Sequence, residues 1–245
     1  IIEILVYICI KMKISINQPA YLPWLGYFER IDSSDIHVIL NHVQYEKNSY
    51  INRNKIYANQ KAQWLTIPVS KALGTLDNNS INNVVTQNNK KWIRTHLKTI
   101  YYNYCKTPFF DKYYPEFKRL LENQINEKCF FSIINSINNL FIKYLNIKTQ
   151  IIYSDNLGID SKKSDLVLDI CKSQNARQYL SGENGIDYLN LDDFEKSNIN
   201  VLFQKYNHPV YNQYRKKFIS HLSILDLLFF HGKESLNIIR KGKNY

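Results

Sequence analysis

Residues 13–43 read KISINQPAYLPWLGYFERIDSSDIHVILNHV and contain the first complete structural unit of the chain. The apolar run Ile14 to Ile16 is typical of a short buried strand, and residues 35–43 return to the same pattern. Between them, residues 25–33 have helical character. A strand, a loop, a helix and a second strand in this order predict an α/β protein.

The loop that follows the first strand is rich in proline and aromatic residues. Pro19 and Pro23 bracket Tyr21 and stand just before Trp24. Rigid loops at the carboxyl ends of strands are where α/β proteins build binding sites. Because the prolines hold this loop away from regular structure, we expect Tyr21 and Trp24 to be exposed.

The rest of the chain alternates between strand and helix patterns. A third strand is predicted at 63–69, an asparagine-rich loop at 77–89, and helices from about 90 to 145. Beyond them, strands are predicted at 150–153, 178–180 and 201–206, and helices at 164–172 and 222–231. We therefore predict a mostly parallel sheet built from the N- and C-terminal portions, with a central helical insertion or cap.

Length and composition favour one large domain. The chain has 245 residues, 44% of them hydrophobic, which is enough to bury a full core. We predict a single domain over 12–240 and a short basic tail at 241–245. Residues 1–10 are strongly apolar but shorter than the roughly 20 residues that span a bilayer, so no transmembrane segment is predicted. We interpret residues 1–11 as a dispensable extension ahead of Met12, with a monotopic anchor as the alternative.

The net charge of +11 suggests nucleic acid or an anionic membrane as a partner. Lysine, asparagine, isoleucine and tyrosine are abundant together, so we attribute part of this charge to a biased composition. No nucleic-acid-binding signature accompanies it, and nucleic acid is not the expected partner. The four cysteines form no CxxC pair and the six histidines no HxH or HExxH motif. We predict no metal site, and a reducing, cytoplasmic setting fits.

Two polar segments are candidates for anion binding. Arg53 stands between Asn52 and Asn54, shortly after Lys47, in a predicted loop; a guanidinium fork suits a phosphate or carboxylate. The alternative is a loop held together by asparagine turn bonds. Residues 181–185, SGENG, follow a predicted strand, where glycines permit close backbone approach and exposed amides favour an anion. The alternative there is an ordinary turn.

Three titratable residues need individual interpretation. His208 follows a predicted strand and is a candidate for proton transfer, with a turn cap as the alternative. His96 lies on an apolar helix face and is interpreted as structural or substrate-contacting. Asp226 lies in an apolar helix and needs a partner if it is buried; Arg215 and a helix or loop amide are the candidates.

Short motifs spread along the chain occur in the order typical of one family. They are Gln18-Pro19, Leu22-Pro23-Trp24, Gly26-Tyr27-Phe28, Val43-Gln44-Tyr45, Asn52-Arg53-Asn54, Tyr179-Leu180-Ser181-Gly182 and His208-Pro209-Val210-Tyr211. From Met12 to about Arg240 the chain resembles the WbqC-like family, which is associated with bacterial surface-polysaccharide gene clusters. It departs from the family pattern at Asn17, where histidine is frequent, and at Asn41, where an acid is expected.

The resemblance implies a cytoplasmic amino-sugar N-acyl transferase, with glycine as one acyl group, in O-antigen or other surface-polysaccharide biosynthesis. The implied partner is a nucleotide-linked amino sugar or a similar anionic small molecule. The cofactor is left open, with ATP or an activated acyl donor as the candidates. The alternative is a nucleotide- or nucleic-acid-binding protein without catalysis.

In this interpretation His208 accepts the proton of the amine, Arg53 and Lys47 hold the anionic part of the substrate, and Trp24 and Tyr21 orient the sugar. The full predicted substrate-binding set is Gln18, Tyr21, Trp24, Gln44, Tyr45, Lys47, Asn52, Arg53, Asn54, His96, Ser181, Gly182, Gly185 and Tyr211. Six residues are predicted to line one pocket: Gln18, Trp24, Arg53, Ser181, Gly182 and His208.

Overall fold

A computed structural model of the protein describes residues 12–71 and 80–245. Its strands are β1 (Lys13–Asn17), β2 (Ile36–Ile39), β3 (Arg53–Ala58), β4 (Lys61–Thr66), β5 (Val69–Lys71), β6 (Val84–Thr86), β7 (Gln150–Tyr153), β8 (Gln178–Ser181) and β9 (Asn200–Phe203). Its α-helices are α1 (Leu25–Asp32), α2 (Asn89–Tyr104), α3 (Phe110–Asn123), α4 (Phe130–Leu145), α5 (Lys163–Ser173), α6 (Leu191–Lys196), α7 (Ile224–His231) and α8 (Ser235–Arg240). The interpretation of residues 1–11 as an extension lies outside the described residues.

Five parallel strands form the main sheet, in the order β7-β2-β1-β8-β9. Strands β1 and β2 come from the N-terminal portion and β7, β8 and β9 from the C-terminal portion, so the predicted fold class is confirmed. From β1 the chain first adds β2 and β7 on one side and then β8 and β9 on the other. The strand order therefore reverses between β1 and β8, which is where open α/β sheets bind their ligands.

Both faces of the sheet are covered. Ile14, Ile16 and Val38 belong to one apolar cluster, which contains residues of α5 and α6. The alternate residues of β1 and β2 are polar in part: the Ser15 hydroxyl lies 2.7 Å from His37 Nδ1, and both side chains are fully buried. A sheet with two covered faces explains the nearly continuous burial of β1 and β2.

Helices α2, α3 and α4 make up the predicted central helical segment. The helical spacing of apolar residues in α4 is borne out by burial, since Phe130, Ile133, Ile137 and Phe141 are all 0% exposed. They join the larger apolar cluster, to which residues of α1, α2, α3 and α7 also belong. No helix in the described part of the chain is long and apolar enough to cross a membrane.

The region from Arg53 to Thr86 differs from the prediction. Arg53 and Asn54 were expected in a loop but begin β3, which pairs with β4 in an antiparallel hairpin. Asn59 and Gln60 connect the two strands, both with positive φ, the geometry of a tight hairpin turn. The sequence signal was weak because glutamine occupies the position where glycine is usual.

The predicted strand 63–69 is two separate strands, β4 and β5, with Pro68 between them. Proline has no N–H for a ladder, which explains the break. Strand β5 pairs with β6, which lies inside the predicted loop 77–89. The tail 241–245 lies beside the residues after β9, where the Lys205 N–H donates to the Asn244 carbonyl at 2.7 Å.

Candidate functional site

A cleft of about 760 Å³ opens at the carboxyl ends of β1, β8 and β9, where the strand order reverses. Asn17 and Gln18 come from the end of β1, Ser181 and Gly182 from the end of β8, and Gln204 from the end of β9. Further lining residues are Trp24, Arg30, Leu40, Glu46, Lys163, Tyr179, Glu183, Asn184, Gly185, Tyr188, Tyr206 and His221. Its place in the topology makes this cleft the candidate site.

Arg30, near the end of α1, extends its guanidinium into this cleft. Its Nε and Nη2 donate to Gln204 Oε1 at 2.9 and 2.7 Å, and its Nη1 donates to Asn17 Oδ1. Desolvation by burial lowers the pKa of Arg30, and the neighbouring Tyr179 and Glu29 oppose this effect. The two groups that accept hydrogen bonds from the guanidinium are side-chain amide oxygens, which carry no charge.

Gln204 also connects this cation to a buried carboxylate. Its Nε2 donates to Glu29 and to the Gly26 carbonyl at 3.0 Å. Glu29 is fully buried and accepts a second hydrogen bond, from the Ser33 hydroxyl at 2.6 Å. The amide of Gln204 thus separates Glu29 from Arg30 and fixes the orientation of both side chains.

The two glycines of residues 181–185 let side chains approach the backbone closely. A Cβ on Gly182 would lie 2.9 Å from both terminal nitrogens of Arg30. A Cβ on Gly185 would lie 2.0 Å from the Ser181 hydroxyl oxygen. The space that these two glycines leave is taken up by Arg30 and Ser181, and the approach of an anion to this segment stays a prediction.

An aromatic wall lines the cleft near the start of α1. Trp24 stacks on His221 with ring centroids 5.7 Å apart and meets Tyr206 edge-on at 5.3 Å. A Cβ on Gly26 would lie 2.4 Å from the Trp24 ring, so glycine makes room for the indole. Trp24 is only partly exposed, so the expectation of an exposed ring is met in part.

His221 and His208 lie side by side but differ in what their rings can do. His208 Nε2 accepts the backbone N–H of His221 at 3.1 Å, so its proton is on Nδ1, which lies 3.1 Å from the Pro209 carbonyl. Burial, with a contribution from His221, lowers the pKa of His208 to about 4. Both ring nitrogens of His208 are engaged, whereas His221 is exposed and lines the cleft.

The connecting segment, residues 204–223, carries Gln204 and His221 and contains no helix or strand. Its interior anchor is Arg215, whose Nη1 forms an ion pair with Asp226 Oδ1 at 2.7 Å. Asp226 is fully buried, and its counter-charge is Arg215, one of the two kinds of partner that the sequence left open. Tyr104, Tyr211 and Gln213 also donate to the same carboxylate.

Five of the predicted substrate-binding residues line the cleft: Gln18, Trp24, Ser181, Gly182 and Gly185. Gln44, Tyr45 and Lys47 line a second hollow of about 660 Å³. Glu46 borders both spaces, so the hollow adjoins the cleft. Of the six residues predicted to share one pocket, Arg53 and His208 are not among those that line the cleft.

The motif Asn52-Arg53-Asn54 has structural contacts. Asn52 Nδ2 donates to the Ile67 carbonyl at 2.9 Å, and Asn54 Nδ2 donates to the Leu22 carbonyl at 2.7 Å. Leu22 has a φ of +47°, which is uncommon for a branched residue, and Asn54 holds it in place. Arg53 stacks on Trp64 with its Cζ 4.6 Å from the ring centroid.

Three predicted contact residues are buried in the core. The expectation that Tyr21 is exposed is wrong: it is 0% exposed, and its hydroxyl lies 2.8 Å from His96 Nδ1. His96 is also buried, and Tyr211 donates to Asp226. The Tyr21 ring points into the core, where it packs edge-on against Trp92.

Sequence reasoning missed Arg30, Gln204 and His221. Gln204 could have been found, because it directly follows a strand, but the predicted strand ran on to residue 206 and hid this position. Arg30 is separated from the other cleft residues along the chain, and no local pattern marks it.

Asn41, where the family pattern has an acid, has a structural role. Its side-chain oxygen accepts hydrogen bonds from the Ser154 hydroxyl and the Asp155 N–H, both at 3.1 Å.

The fold and the cleft define this protein as an open α/β protein with a candidate small-molecule site at the carboxyl edge of its sheet. Within the described ranges, no group of three or more His, Cys, Asp or Glu side chains could hold a metal ion. The profile of the WbqC-like protein family matches residues 18–238, and the chain belongs to this family.

One relative comes from Mycobacterium tuberculosis (strain ATCC 25618 / H37Rv) and is described as uncharacterized protein Rv1507c. It is 29% identical over 231 residues, which cover 93% of this chain and 97% of the relative. The two chains therefore correspond over nearly their whole lengths. No solved structure matches this chain.

Proposed function

We propose that this protein is an enzyme that transfers an acyl group to the amine of an amino sugar in the synthesis of a surface polysaccharide. The observation that carries the proposal is His221, an exposed histidine that stacks on Trp24 inside the cleft. An aromatic face binds the apolar CH face of a sugar, and a histidine is suited to take a proton near neutral pH.

The proposed step is amide formation. The amine nitrogen of the sugar attacks the acyl carbonyl carbon, the new C–N bond forms, and the bond to the leaving group breaks. The leaving group keeps the electron pair, and His221 takes the proton that the amine loses. Partial desolvation of its ring in the cleft and the nearby Lys55 lower the pKa of His221, which keeps the ring neutral and able to accept a proton.

In this proposal the proton acceptor is His221, and His208 is a positioning residue. The backbone N–H of His221 donates to the ring of His208, and His221 has a φ of +57°. Such a conformation persists where neighbouring contacts hold it. His208 therefore acts through the backbone of His221.

The test incubates the purified protein with nucleotide-linked amino sugars and either acyl-CoA or glycine with ATP. Mass spectrometry should show a sugar product heavier by one acyl group. Absence of product with every pair would contradict the proposal. Steeply salt-dependent DNA or RNA binding in its place would favour the nucleic-acid-binding class.

A further inference from the structure

The inner end of the cleft is built around a cation that has no carboxylate partner. Among the ion pairs of the described residues none includes Arg30, and its acceptors are the amides of Asn17 and Gln204. Buried charges are ordinarily paired, because desolvation of an unpaired charge is costly. An anion that enters this cleft would therefore gain a preformed partner.

Arg30 retains unused hydrogen-bonding capacity toward such an anion. A guanidinium has five N–H groups. One on Nε, one on Nη2 and one on Nη1 are used by Gln204 and Asn17. One N–H therefore remains on each of the two terminal nitrogens, and a guanidinium can bind two oxygens of one oxyanion through two N–H groups.

Gly182 lies directly against these two nitrogens and has no side chain that would displace them. A Cβ there would be 2.9 Å from Nη1 and from Nη2 but 3.2 Å from Cζ, so it would occupy the region in front of the nitrogen edge. Gly182 has φ −70° and ψ 164°, which any residue can adopt. Glycine is therefore required here by the space in front of Arg30, and backbone conformation does not demand it.

In the described part of the chain, none of the other charged side chains of the cleft forms an ion pair with Arg30. Glu46 and Glu183 line the cleft but are exposed, as is Lys163. Glu29 is buried, but the amide of Gln204 lies between its carboxylate and the guanidinium. Arg30 is thus the desolvated cation of the cleft, whereas Lys163 is an exposed one.

We propose that Arg30, Asn17, Gln204 and Gly182 form a phosphoryl cradle, which binds the diphosphate of a nucleotide-linked ligand. This assignment rests on the proposed function because it uses the same cleft. The cleft volume of about 760 Å³ is that of a site for a whole small molecule and far exceeds what a lone carboxylate fills. The aromatic wall of Trp24 and Tyr206 is then available to the sugar attached to the diphosphate.

The test is calorimetric titration of the full chain with UDP, ADP and inorganic pyrophosphate, and with malonate as a dicarboxylate of similar size. Wild-type protein should bind the diphosphates saturably and at least about tenfold more tightly than malonate. Gly182→Ala and Arg30→Gln should each weaken diphosphate binding at least about tenfold, and Arg30→Lys should also weaken it because the fork is lost. The matched control Arg94→Gln, at an exposed position of α2, should bind as wild type.

Thermal unfolding of each variant shows whether it is folded, and Gly182→Ala keeps the test decisive if Arg30→Gln does not fold. The cradle is refuted if wild type binds none of the diphosphates, if malonate binds as tightly, or if folded Gly182→Ala binds diphosphate normally. Diphosphate binding without acyl transfer would leave the cradle in place and remove the proposed function. Acylation of a sugar that lacks phosphate, without diphosphate binding, would refute the cradle and leave the proposed function in place.

Discussion

Arg215 Nη1 lies 2.7 Å from Asp226 Oδ1 in the protein interior and joins the connecting segment to helix α7. The guanidinium also lies over Tyr57, with Cζ 3.5 Å from the ring centroid. The same segment carries Gln204, which orients Arg30, and His221, which stacks on Trp24. A buried ion pair outside the cleft therefore supports the segment that supplies two of its side chains.

Asp226→Asn should lower the free energy of unfolding by roughly 3–5 kcal/mol, because it leaves the buried Arg215 without its counter-charge. The measurement is urea unfolding at neutral pH. Glu122→Gln is the matched control, since its ion pair with Lys118 is about half exposed on both sides and should cost at most about 1 kcal/mol. Equal effects of the two substitutions would contradict the conclusion that the buried ion pair of Arg215 and Asp226 stabilises the fold.

The stability of the protein should decrease as the pH falls from 6.5 toward 4, in part because of His96. Burial lowers the pKa of His96 from 6.5 to about 4, so the folded state binds a proton at this ring more weakly than the unfolded state does. The contribution of the lowered His96 pKa to the free energy of unfolding is fully present above pH 6.5 and amounts to about 3 kcal/mol; it is lost as the pH falls toward 4. His96→Gln should flatten the dependence of unfolding free energy on pH in this window.

Tyr21→Phe is the comparison for this pH effect. It removes the hydroxyl 2.8 Å from His96 Nδ1 but leaves the ring buried. Because burial is the cause of the lowered pKa, the slope between pH 6.5 and 4 should persist in Tyr21→Phe. Loss of the slope in that variant would assign the effect to the hydrogen bond.

Gly26→Ala should displace the Trp24 indole from its place in the cleft wall. Alanine is the better helix residue by up to about 1 kcal/mol, but its Cβ would meet the Trp24 ring at 2.4 Å. Collisional quenching of tryptophan fluorescence should increase. In a Trp24→Ala background the same Gly26→Ala substitution should be neutral or stabilising, and a cost there would show that the indole is not the obstacle.

His221→Asn should reduce turnover on the order of 10²- to 10⁴-fold while the protein remains folded and binds its substrate. The acidic limb of kcat/KM should lie below pH 6.5, because partial desolvation and Lys55 lower the pKa of His221. Lys55→Gln should move that limb to higher pH. A wild-type rate in His221→Asn would assign proton transfer to another group.

Much of the architecture could be predicted from local patterns. The buried runs of β1 and β2, the helical spacing of Phe130 to Phe141 and the return of strands after residue 150 led to the observed sheet. The hairpin of β3 and β4 was missed, because its turn is formed by Asn59 and Gln60 without the usual glycine. The cleft was found in part, since residues that directly follow β1 and β8 meet at one edge of the sheet.

The sequence by itself determined the α/β class, the central helices, the glycines at 182 and 185 and the need of Asp226 for a partner, because each follows from local periodicity or from the cost of burying a charge. Only the tertiary structure decided that Tyr21 is buried, that His221 and not His208 lines the cleft, and that Arg30 meets Gly182. Those relationships join residues far apart in the chain. Strand order and helix packing bring these residues together, and a local sequence pattern carries no information about such contacts.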